Sequence, residues 1–368
     1  MNEHVRAEQV ASRPVKQAFI DCDIHPTPAQ DADIVKFLPA EWHEFHAHYR
    51  NYSRMPLNNV DMYPGIEPNI ARRDSYPPEG GPPGSSVTFM REQHLDPYNV
   101  EIGILQPLSP NGGNQRNTAY GAALASAVND WQLEYFVDPE PRLRASITVT
   151  SDETALAVAE IHKRGKDSRF VQVALNNRAV DAQGRRRYWP VYAAALDYDL
   201  PLGIHTGGNS GAPPLGAAGW ASYHIQQHQA GHPSMSAMLL SFLAEGVFEE
   251  FRGLRLMLVE GAFTWLPSFM WRLDRIWQKM RSEMPNVKRP PSEYFREHVW
   301  ISSQPMDVYK DPQHLRQIID WIGWDRLCFA SDYPHWDFDD PHQAFPFQMT
   351  AEQKQKVYIQ NARAALRL

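Results

Sequence analysis

The chain alternates short, nearly continuous apolar runs with longer segments in which apolar residues recur at helical spacing. Runs that are apolar on both faces are typical of strands in a parallel sheet covered by helices. Eight strand–helix units fit a closed α/β barrel, the (β/α)8 TIM barrel, so we expect residues 1–368 to form one such domain. The predicted strands span 17–25, 100–108, 143–150, 170–176, 201–207, 254–261, 299–305 and 327–333.

One stretch breaks this alternation, between the first and second predicted strands. Residues 53–98 form a long insertion rich in Pro and Gly, with the segments MPLNNVDMYPGIEP and SYPPEGGPPGSS. Long loops of this kind commonly act as lids or linkers. Because the insertion follows a strand, it leaves the sheet at the carboxyl face, where such barrels hold their active sites. We therefore hypothesise that it forms a lid.

The composition narrows the class of protein. Hydrophobic residues make up 43% of the chain, and a net charge of −7 without a basic stripe argues against a nucleic-acid partner. The amino terminus has no apolar signal segment, and no run approaches the ~18 apolar residues of a membrane span. Cys22 and Cys328 both lie in apolar runs, so we expect a reducing cytoplasm rather than a disulfide framework. A small-molecule substrate is the expected partner, and a homo- or hetero-oligomer stays open.

Polar residues concentrate on one side of the first predicted strand. Asp21, Asp23 and His25 are two residues apart, so strand alternation puts them on one face. Burying two carboxylates and an imidazole is costly unless they bind a metal or one another. The alternative is a strand end in water, where both carboxylates cap loop amides.

Ionisable residues recur at the same end of other predicted strands. His205 ends strand five before a Gly-rich loop, Glu260 ends strand six, and Asp332 and His335 follow strand eight. The carboxyl ends of barrel strands converge on one site, and a mixture of carboxylates and imidazoles suits a divalent Zn, Mn or Fe ion. The ligands predicted from this pattern are Asp23, His25, His205, Glu260 and Asp332.

A series of short motifs follows in a specific order: DCDIHP, GIHTGG, VEGAFTWLP, WRLDR, PPSEYFREHV, SSQP and FASDYPHWDFD. In these motifs the chain resembles the amidohydrolase-related family, which includes aminocarboxymuconate-semialdehyde decarboxylase, over nearly its whole length. The resemblance implies a metal-binding (β/α)8 barrel in which Asp23 and His25 form the first-strand pair. It also implies that His205 is the strand-five ligand and that Asp332 is the strand-eight aspartate.

Two features depart from the usual pattern of that family. Glu260 stands where its decarboxylases usually carry a strand-six histidine. The segment SYHIQQHQAGH adds His224, His228 and His232, of which the first two would share one face of a helix. His228 is the strongest candidate for a further ligand, so one or two ions are both open. For His224 and His232, a solvated loop position is the commoner alternative.

Two residues near the predicted mouth are candidates for binding the substrate. Gln304 ends strand seven, and Arg272 in WRLDR could clamp a substrate carboxylate with two hydrogen bonds. An ion pair between Arg272 and Asp274 explains that arginine equally well.

The resemblance favours a metal-dependent hydrolase or carboxy-lyase acting on a small organic substrate. In that reaction Asp332 would move the proton, with Glu260 as a proton-transfer group and His335 or His228 stabilising a developing oxyanion. The alternative is an O2-dependent monooxygenase in which the same ligands and His228 hold two ions, Fe or Fe and Mn. A non-catalytic partner subunit is a third hypothesis, which the intact ligand set argues against.

Overall fold

The structure of the protein is a computed structural model. The residues it describes are 17–50, 71–113, 115–177, 179–207, 222–307 and 309–368. Their eight parallel strands form a nearly closed barrel, in which each strand pairs with the next along the chain. The strands are β1 Phe19–Ile24, β2 Val100–Leu105, β3 Leu143–Thr148, β4 Phe170–Asn176, β5 Leu202–His205, β6 Leu256–Val259, β7 Val299–Ser302 and β8 Leu327–Cys328.

Each of the eight predicted runs contains one of these strands, which confirms the (β/α)8 TIM barrel. The strands are buried on both faces, which explains why the runs are apolar throughout. Burying one aliphatic side chain contributes about 1.5–3 kcal/mol, so the sheet is a stable frame for the residues at its ends. One fully buried residue from each of seven strands illustrates this core: Ile20, Ile104, Ile147, Val173, Ile204, Leu258 and Ile301.

Helices connect the strands. In the described residues they are α1 Ala32–Val35, α2 His43–Tyr49, α3 Val87–Met90, α4 Asp96–Tyr98, α5 Thr118–Gln132, α6 Thr154–Arg164, α7 Trp189–Leu196, α8 His224–Gln229, α9 Gly231–Glu245, α10 Val247–Glu250, α11 Leu266–Lys279, α12 Pro291–His298, α13 Pro312–Ile322, α14 Ala351–Gln355 and α15 Asn361–Ala365. Short 3-10 turns cover Ala40–Trp42 and Arg186–Tyr188, and π-helical turns cover Arg91–Leu95, Leu133–Val137 and Lys356–Gln360. None of the helices within these ranges is long and apolar enough to cross a lipid bilayer.

The barrel closes where the segment after β8 meets the end of β1. The backbone N–H of His25 donates to the carbonyl of Tyr333 at 2.8 Å, and that of Asp332 donates to the carbonyl of Asp23 at 3.2 Å. The two segments that carry predicted ligands are therefore joined directly by backbone hydrogen bonds.

The insertion after β1 is described from Ala71 onward, and its earlier part lies outside the described residues. Ala71 forms an isolated antiparallel bridge with His335. Gly84 has a φ of +78°, and a Cβ at this position would lie 2.4 Å from the carbonyl oxygen of His25, so only glycine fits. The end of the insertion folds into α3, a π-helical turn and α4 ahead of β2. This part packs against the site loops and the barrel, and the lid stays a prediction.

Candidate metal centre

Five ionisable side chains meet at the carboxyl end of the barrel. Asp23 lies on β1 and His25 directly follows it, His205 ends β5, and Glu260 and Asp332 lie just beyond β6 and β8. Glu260 and Asp332 have φ angles of +53° and +64°, a left-handed conformation that is uncommon for residues other than glycine. Backbone conformations of this kind cluster at functional sites, and here they occur at two of the predicted ligands.

His25 and His205 stand at the middle of this cluster. The Nε2 atom of His25 lies 2.7 Å from Asp332 Oδ1 and 3.2 Å from Asp23 Oδ1. The Nε2 atom of His205 lies 2.8 Å from Glu260 Oε2 and 3.6 Å from Asp23 Oδ2. Ligand atoms of Asp23, His25, His205 and Glu260 all lie within 4.8 Å of one another, which is close enough to surround one ion.

The backbone fixes the outer nitrogen of each imidazole. His25 Nδ1 donates to the carbonyl of Gln106 at 2.8 Å, and His205 Nδ1 donates to the carbonyl of Thr206. Because a carbonyl oxygen can only accept, Nδ1 carries the proton in both rings. When either ring is neutral, its Nε2 lone pair therefore faces the cluster, as in metal-binding histidines.

The donor set fits a divalent cation. Both carboxylate oxygens of Asp23 and the Nε2 atoms of His25 and His205 are buried, and in the described part of the chain their polar neighbours are one another and the carboxylates of Asp332 and Glu260. Asp332 is also fully buried, and Glu260 is 15% exposed. Buried charges are costly unless they are paired or coordinate a metal. A divalent ion here would offset the carboxylates and use the open lone pairs.

The electrostatics of the cluster favour positive charge at the same point. Burial opposes a charge on His205, but Glu260 and Asp23 outweigh it and raise the pKa of His205 to about 10. Burial likewise opposes a charge on His25, but Asp23 and Asp332 hold its pKa well above the usual range. Burial raises the pKa values of Asp332 and Glu260. Protons or a metal ion can supply this charge, and they compete for it.

Asp332 is oriented by two neighbours. Its Oδ1 accepts from His335 Nδ1 at 2.7 Å, and its Oδ2 accepts from Gln304 Nε2 at 3.2 Å. Burial, together with the charge of His25, lowers the pKa of His335 to about 3, so this ring is neutral. Gln304 Nε2 also lies 3.2 Å from Asp337 Oδ2. Gln304, which the sequence predicts as a substrate-binding residue, thus donates hydrogen bonds to the carboxylates of Asp332 and Asp337.

A second group of ligand-type side chains adjoins the first and shares Glu260 with it. His228 Nε2 lies 3.0 Å from Asp337 Oδ2, and ligand atoms of His228, Glu260 and Asp337 lie within 4.8 Å of one another. The pattern of ionisable residues at strand ends does not predict Asp337 as a ligand, because this residue lies further along the loop after β8. The sequence feature that could have identified it is its position two residues after His335 in the motif FASDYPHWDFD.

A cavity of about 580 Å³ opens beside the second group. This volume suits a small organic molecule. Its polar lining includes His228, His232, Glu260, Asp307 and Asp337, and its apolar lining includes Ile225, Trp265, Met306 and Trp336. His232 therefore lines the cavity, whereas the side chain of His224 is outside the part of the chain that the structure describes.

The structure does not bring Arg272 to the site. Arg272 is exposed on α11, and the described residues that line the cavity do not include it. Asp274, its alternative partner, accepts hydrogen bonds from the backbone N–H of Ser292 at 2.9 Å and from its hydroxyl at 2.6 Å.

Asp21 also departs from the prediction, because it does not share the surroundings of Asp23 and His25. The pairing of β1 with β2 shifts register between Asp21 and Ile24, which interrupts the strict alternation of side chains. The Asp21 carboxylate accepts instead from His94 Nε2 at 2.7 Å.

The family model described as amidohydrolase matches residues 20–368 of the chain. No curated protein sequence matches significantly. Solved structures with a similar fold include 5-carboxyvanillate decarboxylase from Novosphingobium aromaticivorans, complexed with manganese and 4-hydroxy-3-methoxy-5-nitrobenzoic acid. It is 19% identical, with a TM-score of 0.73 over 94% of this chain and 95% of that chain.

Two further solved structures resemble the chain at similar levels. Dihydroxybenzoic acid decarboxylase from Polaromonas sp. JS666, with bound manganese and 2-nitroresorcinol, is 20% identical, with a TM-score of 0.64 over 95% of this chain and 96% of that chain. 2,6-Dihydroxybenzoate decarboxylase from Rhizobium is 20% identical, with a TM-score of 0.65 over 95% and 98% of the respective chains. At these identities the likeness establishes the barrel fold.

Proposed function

The chain belongs to the amidohydrolase family, and we propose that it is a divalent-metal enzyme that decarboxylates or hydrolyses a small organic substrate. The observation that carries this proposal is the convergence of Asp23, His25 and His205, whose buried ligand atoms have one another and the carboxylates of Asp332 and Glu260 as polar neighbours in the described residues. Such a site is costly to maintain without an ion. It lies at the carboxyl end of the barrel, where enzymes of this fold carry out their chemistry.

Asp23, His25, His205 and Asp332 would hold the ion, with Glu260 either as a further ligand or as a proton-transfer group. Mixed carboxylate and imidazole ligands are compatible with Mn, Zn or Fe. Two of the structurally similar decarboxylases contain manganese, which makes manganese the first metal to test.

A divalent cation bound there would act as a Lewis acid and would polarise a carboxylate or carbonyl group of the substrate. The residues of the chain then handle the proton. Asp332 is the proposed acid–base group, because its carboxyl group is fully buried next to the other proposed ligands and burial raises its pKa in the metal-free protein. In decarboxylation it delivers a proton to the carbon that loses CO2, and in hydrolysis it accepts a proton from water. Neutral His335 and Gln304 keep its carboxylate in place.

The cavity suggests the class of substrate. Trp265, Trp336 and Met306 offer apolar surface for a ring, and Glu260 stands where the cavity meets the ligand cluster. The ligands of the structurally similar decarboxylases are small substituted benzenes. We therefore propose a hydroxylated aromatic acid as the first substrate class to test.

One observation favours the alternative, an O2-dependent monooxygenase with two ions. Glu260 belongs both to the cluster with Asp23, His25 and His205 and to the group with His228 and Asp337. A carboxylate between two sets of ligands is well placed to bridge two ions. The number and identity of the ions therefore separate the two candidate functions.

The test combines metal analysis with a substrate panel. Protein purified without chelator, from cells supplied with manganese, iron and zinc, is analysed by plasma mass spectrometry and assayed for CO2 release from hydroxybenzoates and for ester and amide hydrolysis. About one ion per chain, with turnover that Asp332→Asn abolishes, supports the proposal. Nearly two ions including iron, with O2 consumption, would select the monooxygenase. Wild-type protein without any bound metal would overturn both.

A further inference from the structure

A buried hydrogen-bond network lies directly behind the metal centre, at the junction of β1 and β8. Asp21, His94 and Ser331 are all fully buried. Asp21 Oδ2 accepts from the Ser331 hydroxyl at 2.6 Å and from His94 Nε2 at 2.7 Å. Its Oδ1 accepts from the backbone N–H of Ser331 at 2.9 Å and from that of Asp23 at 3.3 Å. One carboxylate therefore receives four hydrogen bonds from three different segments of the chain.

The backbone groups bound by Asp21 belong to the ligand segments themselves. Asp23 is a proposed ligand, and Ser331 directly precedes Asp332, another proposed ligand. The φ of +64° at Asp332 is a conformation that residues other than glycine keep only when their surroundings fix it. The hydrogen bonds to Ser331 are part of those surroundings, and they tie Asp332 to the strand that carries Asp23.

The π-helical turn Arg91–Leu95 supports this network from the other side. Besides its bond to Asp21, the His94 ring stacks on Tyr333 with ring centroids 4.7 Å apart. The Tyr333 hydroxyl donates to Gln93 Oε1 at 2.9 Å. Single π-helical turns often occur at functional sites. The end of the long insertion thus packs against the segment that carries Asp332, through His94 and Gln93, and holds this segment in place.

We infer that Asp21 and His94 are positioning residues that set the spacing of Asp23 and Asp332 and thereby the affinity of the centre for its ion. The described residues that line the cavity include neither of them, so their effect is exerted through the ligands. This inference rests on the proposed metal-dependent function, and metal binding can test the two separately.

The test compares Mn²⁺ affinity in purified, metal-free variants by isothermal titration calorimetry. Asp21→Asn keeps the size of the side chain but turns one acceptor oxygen into a donor, which cannot accept from Ser331 and His94. We expect a loss of Mn²⁺ affinity of about 10–100-fold, the range seen when groups supporting metal ligands are removed. His94→Ala should act in the same direction, and His94→Gln, which retains an N–H donor, should recover much of the affinity.

Glu140→Gln is the matched control. Glu140 is also buried, and it accepts from Arg91 Nε at 2.7 Å and from Arg142 Nε at 2.9 Å. It therefore anchors the same π-helical turn without contacting a ligand segment. We expect Glu140→Gln to lower the melting temperature but to leave the Mn²⁺ affinity and the visible spectrum of the Co²⁺-loaded protein unchanged, whereas Asp21→Asn alters both.

The outcomes separate the inference from the proposed function. Wild-type Mn²⁺ affinity and Co²⁺ spectrum in a folded Asp21→Asn variant would overturn the positioning role and leave the metal enzyme standing. Absence of Mn²⁺ binding by the wild type would overturn the proposed function and this inference with it. If Asp21→Asn does not fold, Ser331→Ala removes only the hydroxyl donor and should weaken Mn²⁺ binding in the same direction, and unchanged binding there would also refute the role.

Discussion

The two sides of the metal centre are built differently. On the side of β1 and β8, the side chains of Asp23, His25 and Asp332 are at most 3% exposed and are backed by a buried hydrogen-bond network. On the side of β5 and β6, Glu260 is 15% exposed and His228 is 25% exposed, and both line the cavity. The first side has the rigidity of a site that holds an ion, and the second has the access that a substrate requires.

This difference suggests a division of work between the two sides. Ligands whose backbone is held by a buried hydrogen-bond network keep their geometry when an ion binds, which favours affinity. Side chains on a cavity wall can contact a substrate or a second ion, and we expect them to contribute to turnover more than to holding the first ion. Substitutions on either side therefore test the division directly.

The largest effect is expected for Asp332→Ala, on the rigid side. It removes both a proposed ligand and the proposed acid–base group, so we expect turnover to fall by about 10²–10⁴-fold or more and bound metal to be lost. Activity and metal content of the purified variant are the measurements. Asp325→Ala, at a carboxylate that is 60% exposed ahead of β8, is the control and should change neither. Full metal retention in folded Asp332→Ala would contradict its place among the ligands.

A smaller effect is expected for Glu260→Gln, on the open side. The variant keeps the shape of the side chain but cannot transfer a proton, so we expect turnover to fall by about 10–100-fold while one ion per chain is retained. Metal content and steady-state kinetics measure this, with Glu250→Gln on the exposed surface of α10 as the control. Complete loss of metal from Glu260→Gln would show that both sides of the centre hold the ion equally, and it would contradict the proposed difference between them.

The pH dependence of metal binding tests the protonation of one histidine on each side of the centre, His25 next to β1 and His205 at the end of β5. The pKa of His205 is raised to about 10, and that of His25 lies well above its usual range. In the metal-free protein at neutral pH, both rings therefore carry a second proton, on Nε2, in addition to the one on Nδ1. Nε2 must lose that proton to bind a metal, so Mn²⁺ affinity should rise with pH up to about pH 10 and fall as the pH is lowered. Each displaced proton contributes a factor of about ten per pH unit. Titration calorimetry from pH 6 to 8 measures the slope, and a flat profile would contradict it.

The smallest effect is expected for Arg272→Ala. The side chain is exposed on α11 and away from the lining of the cavity, so KM and kcat should stay at wild-type values. Surface substitutions of this kind change stability by about 0.5 kcal/mol or less. A clear rise in KM for a carboxylate substrate would restore Arg272 as a substrate-binding residue.

Much of the rigid frame can be predicted from the sequence, because buried parallel strands are apolar on both faces. His205 and Glu260 are predictable for the same reason, since each stands at or just after the carboxyl end of such a run. The exposure of Arg272 can also be predicted from the apolar pattern of α11. The buried residues of α11 include Leu266, Met270 and Leu273, whose helical spacing leaves Arg272 on another face.

Other features of the site depend on details that the apolar pattern does not carry. The Asp21 carboxylate has partners different from those of Asp23, and the register between β1 and β2 is irregular at this point, whereas a period of two assumes regular strands. Asp337 meets His228 through the path of a loop, and loop paths have no periodic signal. The residues that support and extend the centre are therefore harder to predict than its ligands.

The most direct test of the proposed centre is the position of the ion itself. Crystals grown with Mn²⁺ allow the ion to be located by anomalous scattering. We predict a strong peak about 2.1 Å from the Nε2 atoms of His25 and His205, the length of a metal–imidazole bond, with Asp23 and Asp332 oxygens beside it. No peak at this position, or a peak only between His228 and Asp337, would contradict the proposed centre.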